Sequence, residues 1–299
     1  MTERSAATGR LAGKVAVVTG AGSSGPGVGT GKAMSVLFAR EGASVLLVDN
    51  VAQRAEETRR LIVEEGGEAS VIAADVTKSA DCLVVADAAV GQYGALHILV
   101  NNVGIIAAGT VVTVDEVDWD RVLAVNLKSM VLMCKYAIPQ MEKSGGGSIV
   151  NISSIEALRF GTFAPALPYS VSKGGVMTLT TQMAVQHGRQ GIRANCILPG
   201  FLYTPMVAPY LSERTRELRR LAAPLATEGT AWDVANAALF LASDEARWVT
   251  GAALAVDGGL LCTTPLSTFE EMHSYAIGGD PSPRPSPARG EGAKKAKRS

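Results

Sequence analysis

Apolar residues occur along the chain in short continuous runs, which alternate with longer segments of helical periodicity. The short runs predict strands at residues 14–19, 44–49, 70–76, 96–102, 147–154, 193–200 and 252–259. The segments between them predict helices at residues 32–42, 51–66, 79–92, roughly 115–143, 169–188 and 231–243. Because the strands are continuously apolar rather than alternating, they indicate a parallel sheet that is covered on both faces.

This alternation predicts the α/β class: a single-domain Rossmann fold, with a doubly wound parallel sheet of about seven strands and helices on both faces. We expect one folded domain over residues 11–262, in which residues 201–230 lack a strand and form a flap over the carboxyl edge of the sheet. Outside it we expect a flexible N-terminus at residues 1–10 and a C-terminal extension at residues 263–279. Residues 280–299 are rich in Pro, Ser, Gly and Ala, which predicts a disordered basic tail.

Charge and composition exclude some function classes. The chain has 28 Lys and Arg against 28 Asp and Glu, but residues 280–299 carry a net charge of +4 and the remainder is mildly acidic. Only 5% of residues are aromatic, so the folded part offers neither a basic surface nor a stacking surface for nucleic acid. The basic tail is either solvated or, as the rarer alternative, a nucleic-acid or targeting segment.

Cysteine and histidine are too sparse and too scattered for a metal site or a disulfide framework. The four cysteines form no C-x-x-C pair, which favours free thiols in a reducing compartment. The first residues lack the apolar core of a signal peptide, and no apolar run reaches about 18 residues. We therefore expect a cytoplasmic protein that binds no metal, no membrane and no nucleic acid.

A glycine-rich stretch follows the first predicted strand. One G-x-G-x-x-G pattern starts at Gly20, but it would begin the helix in a Gly-Pro-Gly sequence, which is poor for a helix. Gly29 and Gly31 instead lie directly before the helix, whose free N–H groups and positive dipole end would face a pyrophosphate. The alternative interpretation is a glycine-rich surface turn.

Asp49 closes the second strand, 20 residues after Gly29. A carboxylate at this place suits the ribose hydroxyls of a dinucleotide and repels a 2′-phosphate, so it favours NAD over NADP. The alternative interpretation is a solvated aspartate.

Five motifs in one order resemble the short-chain dehydrogenase/reductase family, in its short single-domain branch, over about residues 10–260. Thr19, Gly20, Gly29 and Gly31 match T-G-x-x-x-G-x-G, with five additional residues between Gly20 and Gly29. The other four are Asp-Val at 75–76, N-N-V-G at 101–104, P-G-x-x-x-T-P-M at 199–206 and V-T-G-x-x-L-x-V-D-G-G at 249–259.

The resemblance implies a cofactor site, in which Asp75 and Val76 contact adenine and Thr204 lies near the nicotinamide carboxamide. The complete set of expected cofactor-binding residues is Gly20, Gly29, Thr30, Gly31, Asp49, Asp75, Val76, Asn102, Tyr169, Lys173, Pro199, Leu202 and Thr204.

The candidate chemistry lies in Y-x-x-x-K, at Tyr169 and Lys173. A spacing of four residues places both side chains on one face of a helix. A phenol is a poor base at neutral pH, so we expect the neighbouring ammonium and the positive nicotinamide to lower the pKa of Tyr169. Tyr169 then takes the proton of a substrate hydroxyl, or returns it in the reverse direction. Alone, this pattern is more often a solvated helix face.

The resemblance adds two further catalytic candidates. It implies that Ser154 hydrogen-bonds the substrate oxygen, with Ser153 as the competing serine, and that Asn126 holds a water that relays protons to Lys173. Ser154 lies fifteen residues before Tyr169, two more than is usual in the family. The loop after Ser154 contains Glu156, Phe160 and Phe163. These side chains either line the substrate pocket or belong to a surface loop.

The sequence therefore predicts an NAD-dependent enzyme that transfers hydride between a secondary alcohol and nicotinamide, or reduces the ketone. Two alternatives stay open: an NADP-dependent 3-oxoacyl-thioester reductase, and a non-catalytic NAD-binding regulator. Two features argue against the NADP-dependent reductase. One is Asp49, and the other is Val28, which stands before Gly29 where a basic residue would be expected for NADP. The presence of the full set of catalytic residues argues against the second. The family resemblance also implies a homotetramer or a dimer, with helices 115–143 and 169–188 as interface elements.

Overall fold

The computed structural model describes residues 9–160 and 165–263. It contains one sheet of seven parallel strands, in the order β3-β2-β1-β4-β5-β6-β7. The strands are β1 Val15–Thr19, β2 Ser44–Asp49, β3 Glu68–Ala73, β4 Ile98–Asn101, β5 Gly147–Ile152, β6 Ile192–Pro199 and β7 Ala253–Val256. The strand order reverses at β1, so a crevice opens between the carboxyl ends of β1 and β4. The predicted Rossmann sheet is confirmed.

Eight α-helices cover the described part of the sheet. They are α1 Thr30–Arg40, α2 Ala52–Glu64, α3 Ser79–Tyr93, α4 Glu116–Leu123, α5 Ser129–Lys143, α6 Leu167–His187, α7 Glu213–Ala222 and α8 Ala231–Ala242. A π-helical segment, Ala124–Lys128, joins α4 to α5. Helix α1 ends at Arg40, and the chain turns away from it at Gly42, whose φ of +88° few other residues adopt.

Two apolar cores lie on opposite faces of the sheet. Successive strand residues point to opposite faces, so Val18 and Leu47 enter the core under α1, α2 and α8. Val17 and Leu46 enter the core under α3, α5 and α6. Both faces are therefore covered by helices, which explains why the strands are continuously apolar.

Three local boundaries differ from those expected. Strand β3 spans Glu68–Ala73 and not residues 70–76, so Asp75 and Val76 lie in the turn that follows it. Helix α1 begins at Thr30 rather than at residue 32. The segment 201–230, expected as a flap without a strand, contains helix α7. Edge strands and helix ends depend on few neighbours, so short sequence patterns specify them weakly.

One helical run in the described ranges, residues 116–143, is long and apolar enough to cross a membrane by length and composition alone. Its α5 part packs against α3 and against β4 to β6, as a core helix does. The described thiols are free: Cys82, Cys134 and Cys196 are buried, and Cys262 is exposed.

The two ends of the chain are only partly described. Arg10 donates to the Glu245 carboxylate at 2.8 Å, and Leu11 is buried, so the last residues of the expected flexible N-terminus are held. Residues 1–8 and 264–299, with the predicted extension and basic tail, lie outside the described part.

Candidate active site

The carboxyl ends of β1 and β4 are tied together by Asn102. Its Nδ2 donates to the carbonyls of Thr19 (3.1 Å) and Gly20 (3.0 Å), and its Oδ1 accepts from Thr30 Oγ1 at 2.7 Å. Both side-chain N–H groups of Asn102 are therefore used within the protein. It positions the glycine turn and the start of α1, which are the groups that would face a pyrophosphate.

Glycine is required at two places in this turn. Gly20 has a φ of +63°, in the left-handed region. A Cβ on Gly31 would lie 1.9 Å from the Gly20 carbonyl oxygen, far inside van der Waals contact. The close approach of α1 to the end of β1 therefore depends on Gly31, and it brings the N-terminus of α1, capped at Gly29, to the crevice. This is the cradle that a dinucleotide pyrophosphate requires.

The additional residues of the glycine loop fold back on the helix start. Ser23 Oγ accepts a hydrogen bond from the Gly29 N–H at 2.9 Å. A Cβ on Gly27 would lie 3.5 Å from Pro205, so the loop approaches the beginning of the flap. The insertion therefore leaves the order Gly20, Gly29, Gly31 intact.

Asp49 lies at the end of β2 and is 8% exposed. Its Oδ2 accepts from the Gly22 N–H at 3.1 Å and its Oδ1 from the Val51 N–H at 3.0 Å. Two backbone donors thus hold an acceptor-only carboxylate beside the glycine loop, with lone pairs left over for hydroxyl donors.

Asp75 and Val76 lie in the turn after β3, beside the end of β2. Thr77 donates to Asp75 Oδ1 from its N–H (3.0 Å) and its hydroxyl (2.6 Å), and Lys78 lies 3.7 Å from Oδ2. The hydrogen bonds from Thr77, and the charge of Lys78, hold the pKa of Asp75 below its usual value. Val76 is buried in the core.

The remaining expected cofactor residues follow β6. The strand ends at Pro199, and Gly200 packs so closely on Asp257 that a Cβ would lie 2.6 Å from its Cα. Leu202 then pairs with Gly229 across an isolated bridge, and the Thr204 carbonyl accepts from the N–H groups of Val207 and Ala208. These contacts hold the start of the flap at the carboxyl edge of the sheet.

Lys173 lies inside the protein, on α6. It is 3% exposed, and its Nζ donates to the Ile152 carbonyl at 2.7 Å. Burial lowers the pKa of Lys173 to about 8. No other hydrogen-bond partner of this Nζ lies in the described part of the chain, so two of its N–H groups can serve a ligand such as a ribose.

Tyr169 is one turn before Lys173, with Lys173 Nζ 5.6 Å from its ring centroid. The expected lowering of its pKa is not found: burial raises the pKa of Tyr169, while a hydrogen bond from Ser154 acts in the opposite direction. The charge of Glu156 raises it further. Burial and the charge of Glu156 thus hold the pKa of Tyr169 above its usual value in this structure.

The two neighbouring serines have different roles. Ser153 Oγ donates to the Lys173 carbonyl at 2.8 Å and is buried, so it fixes helix α6 to β5. Ser154 Oγ accepts from the Glu156 N–H at 3.1 Å and hydrogen-bonds Tyr169. Its contact with the phenol favours Ser154 as the serine that meets a substrate oxygen.

Asn126 lies in the π-helical segment, a distortion that is frequent at functional sites. Its Nδ2 donates to the Ile105 carbonyl (2.9 Å) and to Ser172 Oγ (3.0 Å), and its Oδ1 accepts from the Ile105 N–H (2.8 Å). Both side-chain N–H groups are therefore occupied. Asn126 joins the loop after β4 to helix α6, and a water held by it would have to be a donor to Oδ1 or to the backbone.

The structure brings two arginines to the site region that sequence reasoning missed. A Cβ on Gly22 would lie 2.3 Å from Arg54 Cβ, so the Arg54 stem lies against the turn that holds Asp49. Arg219, on α7, donates to the Leu202 carbonyl at 3.4 Å. Neither follows a motif, and only the folded chain places them here. Within residues 9–160 and 165–263 no three potential metal ligands cluster.

Comparison with known proteins agrees with this geometry. Residues 26–261 match the family model described as "Enoyl-(Acyl carrier protein) reductase". A 3-oxoacyl-[acyl-carrier-protein] reductase from Thermotoga maritima is 37% identical over 252 residues, covering 84% of this chain and 99% of that protein.

Solved structures give the same result. A putative short-chain dehydrogenase/reductase from Burkholderia xenovorans has 43% sequence identity and a TM-score of 0.82, covering 86% of this chain and all of that one. A 7α-hydroxysteroid dehydrogenase complexed with NADH and 7-oxo glycochenodeoxycholic acid has 35% identity and a TM-score of 0.78, over 84% of this chain and 95% of that chain.

The chain belongs to the short-chain dehydrogenase/reductase family. It is an oxidoreductase, and the expected reaction, hydride transfer between a carbinol or ketone carbon and a nicotinamide cofactor, is consistent with these relatives.

Proposed function

We propose that the protein is an NAD-dependent dehydrogenase of secondary alcohols, which also reduces the corresponding ketones. The observation that carries the choice of NAD is Asp49, whose carboxylate is held beside the glycine loop by the N–H groups of Gly22 and Val51. Charge-assisted hydrogen bonds from ribose hydroxyls are worth about 1.5–3 kcal/mol, whereas a 2′-phosphate would face the same negative charge.

The residues present fit a dinucleotide. The turn at Gly20 and Gly31 has no room for a side chain, the N-terminus of α1 faces the crevice, and Lys173 has two N–H groups free of protein partners in the described part. When bound, the nicotinamide ring supplies the acceptor or donor of hydride.

The protein's own residues manage the proton. Ser154 donates a hydrogen bond to the substrate oxygen, and Tyr169 removes the hydroxyl proton as the C–H bond breaks and the C=O bond forms. Lys173 holds the ribose hydroxyls, and its charge stabilises the phenolate. Asn126 holds the loop after β4 against helix α6, because its amide bonds Ile105 in the loop and Ser172 on the helix.

An NADP-dependent 3-oxoacyl-thioester reductase is the second candidate, and Arg54 favours it. Arg54 lies on the first turn of α2 against the Gly22 turn, and no carboxylate within the described residues lies within 4 Å of it. A guanidinium at this place suits a 2′-phosphate. A relative that is a 3-oxoacyl-[acyl-carrier-protein] reductase also supports this candidate.

The two candidates are separated by assaying a panel of secondary alcohols and ketones with both cofactors, following absorbance of the reduced nicotinamide. We expect the wild-type enzyme to prefer NAD. Asp49→Ser should change the ratio of kcat/KM for NAD and NADP by one to two orders of magnitude, or about 1.4–2.8 kcal/mol. Arg54→Gln should lower kcat/KM for NADP only. A wild-type preference for NADP, or an unchanged ratio in Asp49→Ser, would contradict the proposal.

Further proposals concern the surroundings of the enzyme. We propose that the protein is a cytoplasmic homotetramer or dimer. Its ligand besides the cofactor is a small alcohol or ketone substrate, and it binds neither nucleic acid nor a membrane. Val131, Val171 and Val185, on the long helices α5 and α6, are exposed and support such an interface. We also keep residues 11–262 as the catalytic domain. Light scattering of the purified protein tests the oligomeric state.

A further inference from the structure

Helix α7 of the flap carries four arginines, of which two are neutralised by carboxylates. Arg216 donates to both oxygens of Glu228 at 2.6 and 2.7 Å, and Arg220 donates to both oxygens of Glu217 at 2.8 and 2.7 Å. Arg214 is exposed to solvent. Arg219 therefore has to be explained separately, because it is partly buried and has no carboxylate partner in the described part of the chain.

Arg219 is partly buried over the start of the flap. Its guanidinium carbon lies 4.5 Å from the ring centroid of Phe201, and Nη2 donates to the Leu202 carbonyl at 3.4 Å. No carboxylate in the described ranges lies within 4 Å of Arg219, although Arg216 and Arg220 on the same helix each have one. A partly desolvated guanidinium that makes one long hydrogen bond has N–H donors left over, and an anion would satisfy them.

The guanidinium shares its surroundings with the catalytic loop. Glu156, two residues after Ser154, donates its N–H to Ser154 Oγ and accepts from Ser170 Oγ at 3.2 Å. The charges of Glu156 and Arg219 act on each other, and that of Glu156 also acts on Tyr169. The loop with Ser154 follows β5 and the turn with Leu202 follows β6, its neighbour in the sheet, so Arg219 lies at the same carboxyl edge as the catalytic loop.

Glu156 and Arg219 have not formed an ion pair. Burial raises the pKa of Glu156 and lowers the pKa of Arg219, so desolvation outweighs their attraction in both groups. In the formed pair of Arg216 and Glu228 both pKa values move in the opposite directions. No hydrogen bond joins Glu156 to Arg219 among the described residues, and the one acceptor of Arg219 there is the Leu202 carbonyl, so the guanidinium can take a further acceptor.

We propose that Arg219 recognises a carboxylate on the substrate, so that the enzyme acts on hydroxy acids or keto acids whose acidic group reaches the flap. The planar guanidinium matches a carboxylate through two parallel hydrogen bonds. This inference rests on the proposed function, since the same pocket must hold the reacting carbon beside Ser154 and Tyr169.

The test compares acids with their neutral esters. The probes are 3-hydroxybutanoate, 4-hydroxypentanoate and 5-hydroxyhexanoate, each beside its methyl ester, so that the distance from carbinol to carboxylate varies. For the best acid we expect Arg219→Gln to lower kcat/KM by about 10- to 100-fold, the loss of a hydrogen-bonded charge, and to change the value for its ester less than threefold. Arg214→Gln is the matched control on the same helix and should change neither.

The variant Glu156→Gln distinguishes this proposal from an alternative, in which Arg219 and Glu156 form an ion pair that holds the flap closed as a latch. Removing the negative charge of Glu156 should maintain or raise the preference for the acid over the ester. If Arg219→Gln and Glu156→Gln lower acid and ester equally, the two residues form a latch and the proposal is wrong. A wild-type enzyme that prefers every ester to its acid also overturns it.

A binding measurement keeps the result independent of turnover. Calorimetric titration of 4-oxopentanoate into the NAD-loaded wild-type enzyme should give tighter binding than into Arg219→Gln, and equal affinities overturn the proposal. If no alcohol is oxidised with either cofactor, the proposed function fails, yet the titration still decides whether Arg219 binds a carboxylate.

Discussion

Lys173→Met should make the protein more stable at pH 7 while removing its activity. The ammonium of Lys173 is almost completely buried, and its one hydrogen bond in the described structure is to the Ile152 carbonyl at 2.7 Å. Burial lowers its pKa from 10.5 to about 8, which corresponds to a destabilisation of about 3 kcal/mol while the lysine is charged. Methionine is of similar length, and it removes this penalty.

Part of the gain is offset. The Ile152 carbonyl loses its donor, at a cost of about 1–3 kcal/mol. The expected net effect is a free energy of unfolding about 1 kcal/mol higher, or a Tm about 2–4 °C higher for a domain of this size.

The pH dependence gives the sharper test. Because the folded-state pKa is below the unfolded one, the penalty is fully present below pH 8 and disappears as pH rises from 8 to 10.5. The wild-type protein should therefore gain about 2 kcal/mol relative to Lys173→Met between pH 7 and pH 10, as judged from urea unfolding of the cofactor-free proteins. Lys135→Met, at an exposed position, should show no such trend. A pH-independent difference between wild type and Lys173→Met would refute the argument.

Two further predictions concern turnover and the glycine cradle. Tyr169→Phe removes only the transferable proton, so it should leave cofactor affinity within about twofold. It should reduce kcat at least 100-fold, which is in the range of general acid–base catalysis. Retention of more than a few per cent of kcat would exclude Tyr169 as the acid/base. Gly31→Ala would place a Cβ 1.9 Å from the Gly20 carbonyl oxygen, so cofactor affinity measured by fluorescence titration should fall at least tenfold. The control Gly91→Ala lies in open space within α3, so it should keep that affinity and raise the free energy of unfolding by about 0.5–1 kcal/mol. Equal affinities of the two variants would contradict the predicted cradle.

Local patterns were enough to predict the sheet and the order of the glycine turn that follows β1. Continuous apolar strands alternating with amphipathic helices admit few arrangements, and parallel strands bring the residues that follow them to one edge. Gly20, Asp49 and Asn102 each follow or end a strand, so their meeting at the crevice is a consequence of topology. The spacing of Tyr169 and Lys173 fixes their common helix face in the same way.

Other properties of the site depend on contacts between distant segments, which no local pattern encodes. Whether the pKa of Tyr169 rises or falls depends on how far the folded chain removes it from water, and desolvation outweighs the hydrogen bond from Ser154. Ser153 and Ser154 are equivalent in sequence, and only the packing of α6 on β5 assigns one to the helix backbone and the other to the phenol.

The flap shows the same division. Its sequence predicts the absence of a strand, and the fold decides which arginines of α7 meet a carboxylate. Arg216 and Arg220 find partners 12 residues ahead and three residues behind along the chain, at Glu228 and Glu217. Arg219 instead lies over Phe201 and the Leu202 carbonyl, in the turn after β6. The flap has four arginines and three glutamates, and tertiary packing determines which arginine is left without a carboxylate partner among the described residues.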